Sequence, residues 1–163
     1  MFILKTRKRF KNNSQLQTGK ELDQRKQIVE VLRKNGYKAT SQRIAVAQTV
    51  LRSHEHPSAE DIHEEVLRIH PTVSLSTVYN TLHLLKDITF LRELTYKGTT
   101  RYDPNLELHI NLICEDCGTI QDIEANQIKD FIDEIFRRQG FDVTGQHIDI
   151  YGTCKKCRIN TNT

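Results

Sequence analysis

Four cysteines fall in two Cys-x-x-Cys pairs, Cys114 with Cys117 in CEDCG and Cys154 with Cys157 in CKKC, and nowhere else in the 163 residues. A thiolate pair separated by two residues wraps one side of a cation, and two such pairs complete a tetrahedron of soft ligands. That set suits a structural Zn2+, which has no redox chemistry and no geometric preference of its own. Two disulfides would need an oxidising compartment, yet the apolar residues 2–4 are followed at once by Lys5, Arg7, Lys8 and Arg9, so no secretory core is expected. A thioredoxin-type redox pair would not need its duplicate. The long interval between the pairs implies that the metal clips the edge of a small α+β domain with a helix between the two pairs. Such a closed site supports folding and does no chemistry.

Charge divides the chain in a second way. Residues 1–97 carry 17 basic and 10 acidic side chains, whereas residues 98–163 carry 7 basic and 11 acidic. A basic half joined to an acidic, cysteine-bearing half points to a polyanion partner for the first and another task for the second. No stretch approaches the ~18 apolar residues of a membrane span, so a cytoplasmic protein is expected.

The basic half reads as a flexible arm over residues 1–20, then as helices. Ile28, Val31 and Leu32 form one stripe, ended by Asn35-Gly36. Thr40 and Ser41 are N-cap candidates ahead of Ile44, Ala47 and Leu51, and Ser58 with Asp61 resembles a capping box ahead of Ala59, Ile62 and Val66. A fourth helix carries Leu75, Val78, Leu82 and Leu85 inward. That turns Ser76, Thr77 and Asn80 outward, with Tyr79 on the flank. Short hydrogen-bonding side chains beside one aromatic suit a helix that enters a major groove. Residues 90–103 then read as a two-stranded ribbon turning at Lys97-Gly98, which completes a winged helix-turn-helix. The plainer alternative is a helical domain whose polar face is merely wet.

In the second half, His109 and Asn111 alternate with Ile110 and Leu112 as in a strand. Ile128, Phe131, Ile132, Ile135 and Phe136 mark an amphipathic helix, and residues 141–151 read as a strand with a bulge at Gly145. About three strands and one helix bury little apolar area alone, so pairing with a second copy is expected.

The segments GYKATSQR, HPSAEDI, STVYNTL, RELTY, CEDCG and IYGTCKKC, in this order, resemble the ferric uptake regulator (Fur) family, most closely its peroxide-sensing repressor (PerR) branch. The resemblance implies a homodimeric, DNA-binding transcriptional repressor, not an enzyme. Its fold class would be α+β: a winged-helix domain over residues 21–101, a hinge over 102–108, and a dimerisation and metal-binding domain over 109–163. It implies a structural zinc on Cys114, Cys117, Cys154 and Cys157, and a regulatory Fe2+ or Mn2+ whose ligands map to His56, Asp103, His109 and Asp122. The fifth ligand, a histidine in the branch, falls on Asn111, a neutral oxygen donor that makes the site harder and tilts it toward Mn2+ or Fe2+. Leu108 and Ile110 stand where some iron-sensing members have ligands of a third site, so no third metal is expected. Asp122 and Asn80 favour the peroxide branch, in which Fe2+ with H2O2 would oxidise His56 or His109.

For DNA the resemblance carries over Lys38 as a minor-groove probe and Tyr79 and Asn80 as base readers on an A·T-rich palindrome. Arg43, Ser76 and Thr77 are expected at phosphates. By joining the two domains, the metal would set the separation of two recognition helices against half-sites one helical turn or a multiple apart. An iron, manganese or zinc uptake regulator of the same fold is the alternative. A more distant one is a non-haem iron oxygenase using His56, Asp103 and His109. Thr89 departs from a usual glycine after the recognition helix.

Overall fold

The computed structural model describes residues 22–53, 55–142 and 146–160. The expected arm over 1–20 and the bulge at Gly145 lie outside them. The chain forms two compact units that succeed each other at Pro104 and Asn105.

In the first unit, α1 runs through residues 22–34 and buries Ile28 and Leu32 before the turn at Asn35-Gly36. Gly36 takes φ +80°, a left-handed cap that leaves no Cβ to clash. α2 (Ser41–Arg52) is capped by Thr40, whose side chain accepts from the Arg43 N–H, and α3 (Ala59–Leu67) by a complete capping box between Ser58 and Asp61. α4 (Leu75–Asp87) is capped by Ser74, accepting from Thr77 N–H. Their inward faces make one core, with Val46, Val50, Ile62, Val66, Val78 and Leu82 all wholly enclosed. β1 (Arg92–Tyr96) and β2 (Thr99–Asp103) then form an antiparallel hairpin. Its turn residues Lys97 and Gly98 both have positive φ, the backbone that matches strand twist in a two-residue loop. Three helices of the core followed by this ribbon make the winged helix-turn-helix.

The second unit holds a three-stranded sheet in the order β4-β3-β5. β3 (His109–Cys114) pairs antiparallel with β4 (Ile120–Glu124) and parallel with β5 (Ile148–Gly152), so β4 returns through α5 (Asn126–Gln139) to reach the far edge. The short α6 (Lys155–Asn160) follows. The strand expected over 141–151 begins only at Ile148, and α6 has no apolar period to announce it. Ile113 and Ala125 are buried, whereas Phe131, Ile135, Ile150 and Tyr151 stay exposed in a single chain.

Candidate metal centres and nucleic-acid face

The cysteine cluster is built by strand register. Cys114 ends β3, and a tight turn closed by Gly118 N–H to the Cys114 carbonyl at 2.9 Å brings Cys117 back beside it. Gly118 at φ +70° makes that turn possible. Parallel pairing sets Cys114 against Gly152, with Glu115 N–H donating to the Gly152 carbonyl at 2.8 Å, so Cys154 arrives two residues later at the same corner. The four sulfurs lie within 4.8 Å of one another, and Cys117 Sγ is 3.8 Å from Cys154 Sγ. A tetrahedron of sulfurs at ~2.3 Å from zinc has an edge of about 3.8 Å, the spacing already held by Cys117 and Cys154, and the whole set lies within reach of one such ion. The Cys154 N–H, 3.3 Å from Cys114 Sγ, and then the backbone at Cys117 pull the Cys114 thiol down to about 6. The Cys157 thiol is pushed up to about 12 by its contacts with Cys117 first and then Cys154. Thiols release the protons they carry when a cation binds.

The expected regulatory ligands fall in both units. In the first, His56 occupies the loop between α2 and α3 in a left-handed conformation (φ +48°), and Asp103 ends β2. Tyr102 N–H donates to the Pro57 carbonyl at 3.0 Å, which ties the wing to that loop and sets His56 Nε2 3.7 Å from Asp103 Oδ1. Both side chains are buried. In the second unit, His109 and Asn111 project from the same face of β3, both buried, and Asp122 of β4 stands directly across from Asn111. His109 Nδ1 lies 2.8 Å from the Glu107 carbonyl, and its Nε2 lies 3.1 Å from Asn111 Oδ1. Asn111 Nδ2 donates to Asp149 Oδ1 at 2.9 Å. Asp149 did not emerge from the sequence reading. Its signal was there in Ile148-Asp149-Ile150, an acid alternating with two isoleucines and so turned to the other face of the strand.

On the recognition helix α4, Ser76 and Asn80 are exposed and Thr77 and Tyr79 half-buried. The hydroxyls of Ser76 and Thr77 converge on Ser74 Oγ at 2.8 and 2.9 Å, a cluster of polar groups at the helix start. Tyr79 donates its hydroxyl proton to Glu60 Oε1 at 2.7 Å, which fixes the ring and holds Glu60 below the ordinary carboxylate value. Glu60 is a second residue that periodicity alone could not flag. Lys38 is exposed, and Arg43 donates through Nη1 to the Lys38 carbonyl at 3.0 Å, so it shapes the loop that presents Lys38. Arg101 of the wing is bound to Asp61 at 2.9 Å, fastening β2 to the start of α3.

Residues 34–151 match the sequence profile of the Ferric uptake regulator family. The peroxide-responsive repressor PerR of Staphylococcus epidermidis is 38% identical over 133 residues, spanning 80% of this chain and 88% of that protein. Its counterpart in Staphylococcus aureus is 38% identical over 128 residues, spanning 78% and 86%. Among solved structures, the Campylobacter jejuni peroxide stress regulator superposes with a TM-score of 0.65 at 30% identity, covering 80% of this chain and 98% of that one. The Helicobacter pylori ferric uptake regulator, described as having three functional metal binding sites, superposes at 0.71 with 26% identity, covering 85% and 93%. With a winged helix-turn-helix, a four-cysteine corner and this similarity running through most of its length, the chain belongs to the ferric uptake regulator family.

Proposed function

We propose that this protein is a metal-dependent, DNA-binding transcriptional repressor that responds to peroxide. The observation that carries the reading is the buried pair His56 and Asp103 inside the DNA-reading unit, 3.7 Å apart and fastened to the wing. An imidazole and a carboxylate buried together are a half-set of ligands for a divalent cation. The second unit gathers donors of the same kind in His109, Asn111 and Asp122. The donor chemistry, two imidazoles with oxygens, suits Fe2+ or Mn2+ and differs from the all-sulfur zinc corner.

When bound, Fe2+ supplies the reaction with H2O2 that oxidises a ligand histidine, and Mn2+ supports repression without it. The chain's own residues do the rest. His56 and Asp103 link the occupancy of the site to the wing, and the second unit holds two copies together. Members of the family are dimeric DNA-binding regulators, and the exposed Phe131, Ile135, Ile150 and Tyr151 supply apolar area for a partner subunit. Ser76, Thr77 and Arg43 sit near phosphates, Lys38 enters a minor groove, and Tyr79 and Asn80 read an A·T-rich palindrome, with the Tyr79 ring against thymine methyls. Family membership excludes the oxygenase reading. No helix among the described residues is long and apolar enough to cross a membrane, and a cytoplasmic setting is part of the proposal.

Anaerobic protein loaded with Mn2+ should retard an A·T-rich palindromic duplex, and Asp103→Ala should remove the dependence on metal. With Fe2+ and H2O2, peptide mapping should find one added oxygen on the peptide holding His56 or His109. Duplex affinity that is equal with and without metal would refute regulation by this site. Metal-dependent binding without oxygen addition would leave a metal-uptake regulator of the same fold.

A further inference from the structure

Asn111 is wholly enclosed and stands in the middle strand, with Asp122 across from it on β4 and Asp149 across from it on β5. Its amide is gripped at both ends. Nδ2 donates to Asp149 Oδ1 at 2.9 Å, and Oδ1 faces His109 Nε2 at 3.1 Å. A carboxylate accepts and cannot donate, so Asp149 decides which end of the amide points toward it, and the carbonyl oxygen is left turned to the imidazole. The imidazole is fixed in the same manner. Its Nδ1 lies 2.8 Å from the Glu107 carbonyl, also an acceptor only, so Nδ1 carries a proton and Nε2 is the nitrogen turned toward Asn111 Oδ1 as the one that can ligate a cation. One ring nitrogen and one amide oxygen therefore converge from the same strand face.

We infer that Asp149 is a positioning residue of the regulatory metal centre: by taking Asn111 Nδ2, it presents Asn111 Oδ1 beside His109 Nε2 as a ligand pair for a divalent cation. This rests on the regulatory-site reading above. Asp149 reaches Asn111 from the outer strand β5, and its other oxygen, Oδ2, lies 3.8 Å from the exposed His147. Reversal of the amide would set Asn111 Oδ1 against a carboxylate and Nδ2 against His109 Nε2. That one rotation would withdraw both ligands, because Nδ2 would then donate to Nε2 whenever that nitrogen gives up its proton to bind an ion. Asp149 holds the amide away from this state. The oxygen it exposes is a hard, neutral donor, which shifts preference from Zn2+ toward Mn2+.

The test is Mn2+ titration, by electron paramagnetic resonance, of zinc-loaded full-length protein, with zinc content and thermal melting recorded for every variant. Asp149→Ala should weaken Mn2+ binding roughly 10–100-fold, the range for loss of a group that orients a ligand. Asp149→Asn, which keeps a carbonyl oxygen able to accept from Asn111, should recover part of the loss. In an Asn111→Asp background, where two equivalent oxygens need no orientation, Asp149→Ala should leave affinity unchanged or tighten it. Equal weakening in both backgrounds would mean that Asp149 serves only the sheet and would overturn the inference. So would unchanged Mn2+ affinity of Asp149→Ala when His109→Ala abolishes binding. If His109→Ala also leaves Mn2+ binding intact, the regulatory-site reading itself fails.

Discussion

Stripping zinc from the cysteine corner should unfold the second unit and leave the first intact. Among the described residues, the second unit buries only Ile113, Cys114 and Ala125 as apolar side chains, whereas the first encloses eighteen, from Ile28 to Tyr102. Complete burial of an isoleucine contributes about 3 kcal/mol and an alanine methyl about 0.8, so packing alone gives the second unit only a few kcal/mol. A four-thiolate zinc contributes roughly 10–16 kcal/mol of folding free energy, comparable with the whole stability of a typical domain at about 5–15. Losing it shifts the folding equilibrium by about seven powers of ten or more. The corner also fastens three elements at once: the end of β3, the turn into β4, and the segment between β5 and α6. Hydrogen exchange read by mass spectrometry, on reduced protein with a strong chelator and on Cys157→Ser, should show protection lost over residues 109–124 and 148–157. Residues 41–103 should keep theirs. Full protection of 109–124 in protein proven by intact mass to lack zinc would refute the reasoning.

Thr89 holds φ +55° at an exposed position just after α4, a conformation costly for a β-branched residue. Thr89→Gly should therefore raise stability by about 1 kcal/mol in urea denaturation, against the usual penalty for introducing glycine. Asp61 is held below the ordinary 3.8 by the Ser58 hydroxyl first, then the Ser58 backbone and Arg101. Its contribution is complete above 3.8 and fades as pH falls through the lower folded value. Asp61→Asn should lower stability by about 1 kcal/mol at pH 7, and acid titration should show the gap to wild type closing only at more acid pH. For the duplex, Tyr79→Ala should cost about 1–3 kcal/mol and blur preference at one base step, whereas Lys38→Ala should weaken all sequences and flatten the salt dependence by about one unit of slope. Fluorescence anisotropy over several salt concentrations separates the two.

Much of this molecule was legible because its strongest determinants are local. The cap at Thr40, the capping box at Ser58 and Asp61 and the Lys97-Gly98 turn each depend on residues within four positions of one another, and each formed as the spacing predicted. The cysteine spacing also constrained its own solution, since two short loops with sulfurs at their ends need only one point to meet. What escaped was cross-strand. Asp149 is 38 residues from Asn111 and Glu60 is 19 from Tyr79, and only pairing register or helix packing brings each couple together. The strand expected from 141 was misjudged at its start because Phe141 is apolar but exposed, closing the end of α5 by its N–H to the Phe136 carbonyl. Thr89 was visible as an odd residue, but the reason for its oddness is a backbone angle.

The single bond from the Tyr102 amide to the Pro57 carbonyl makes the ribbon and the histidine loop one mechanical piece. A ribbon pressed against a sugar-phosphate strand cannot tilt without dragging the imidazole with it. Operator DNA and ion would thus each raise the other's grip by the same factor, as reciprocity between two ligands requires. Repressor seated on its operator would then hold its ion more tightly than repressor drifting free, so at a falling metal level the molecules off DNA would empty first.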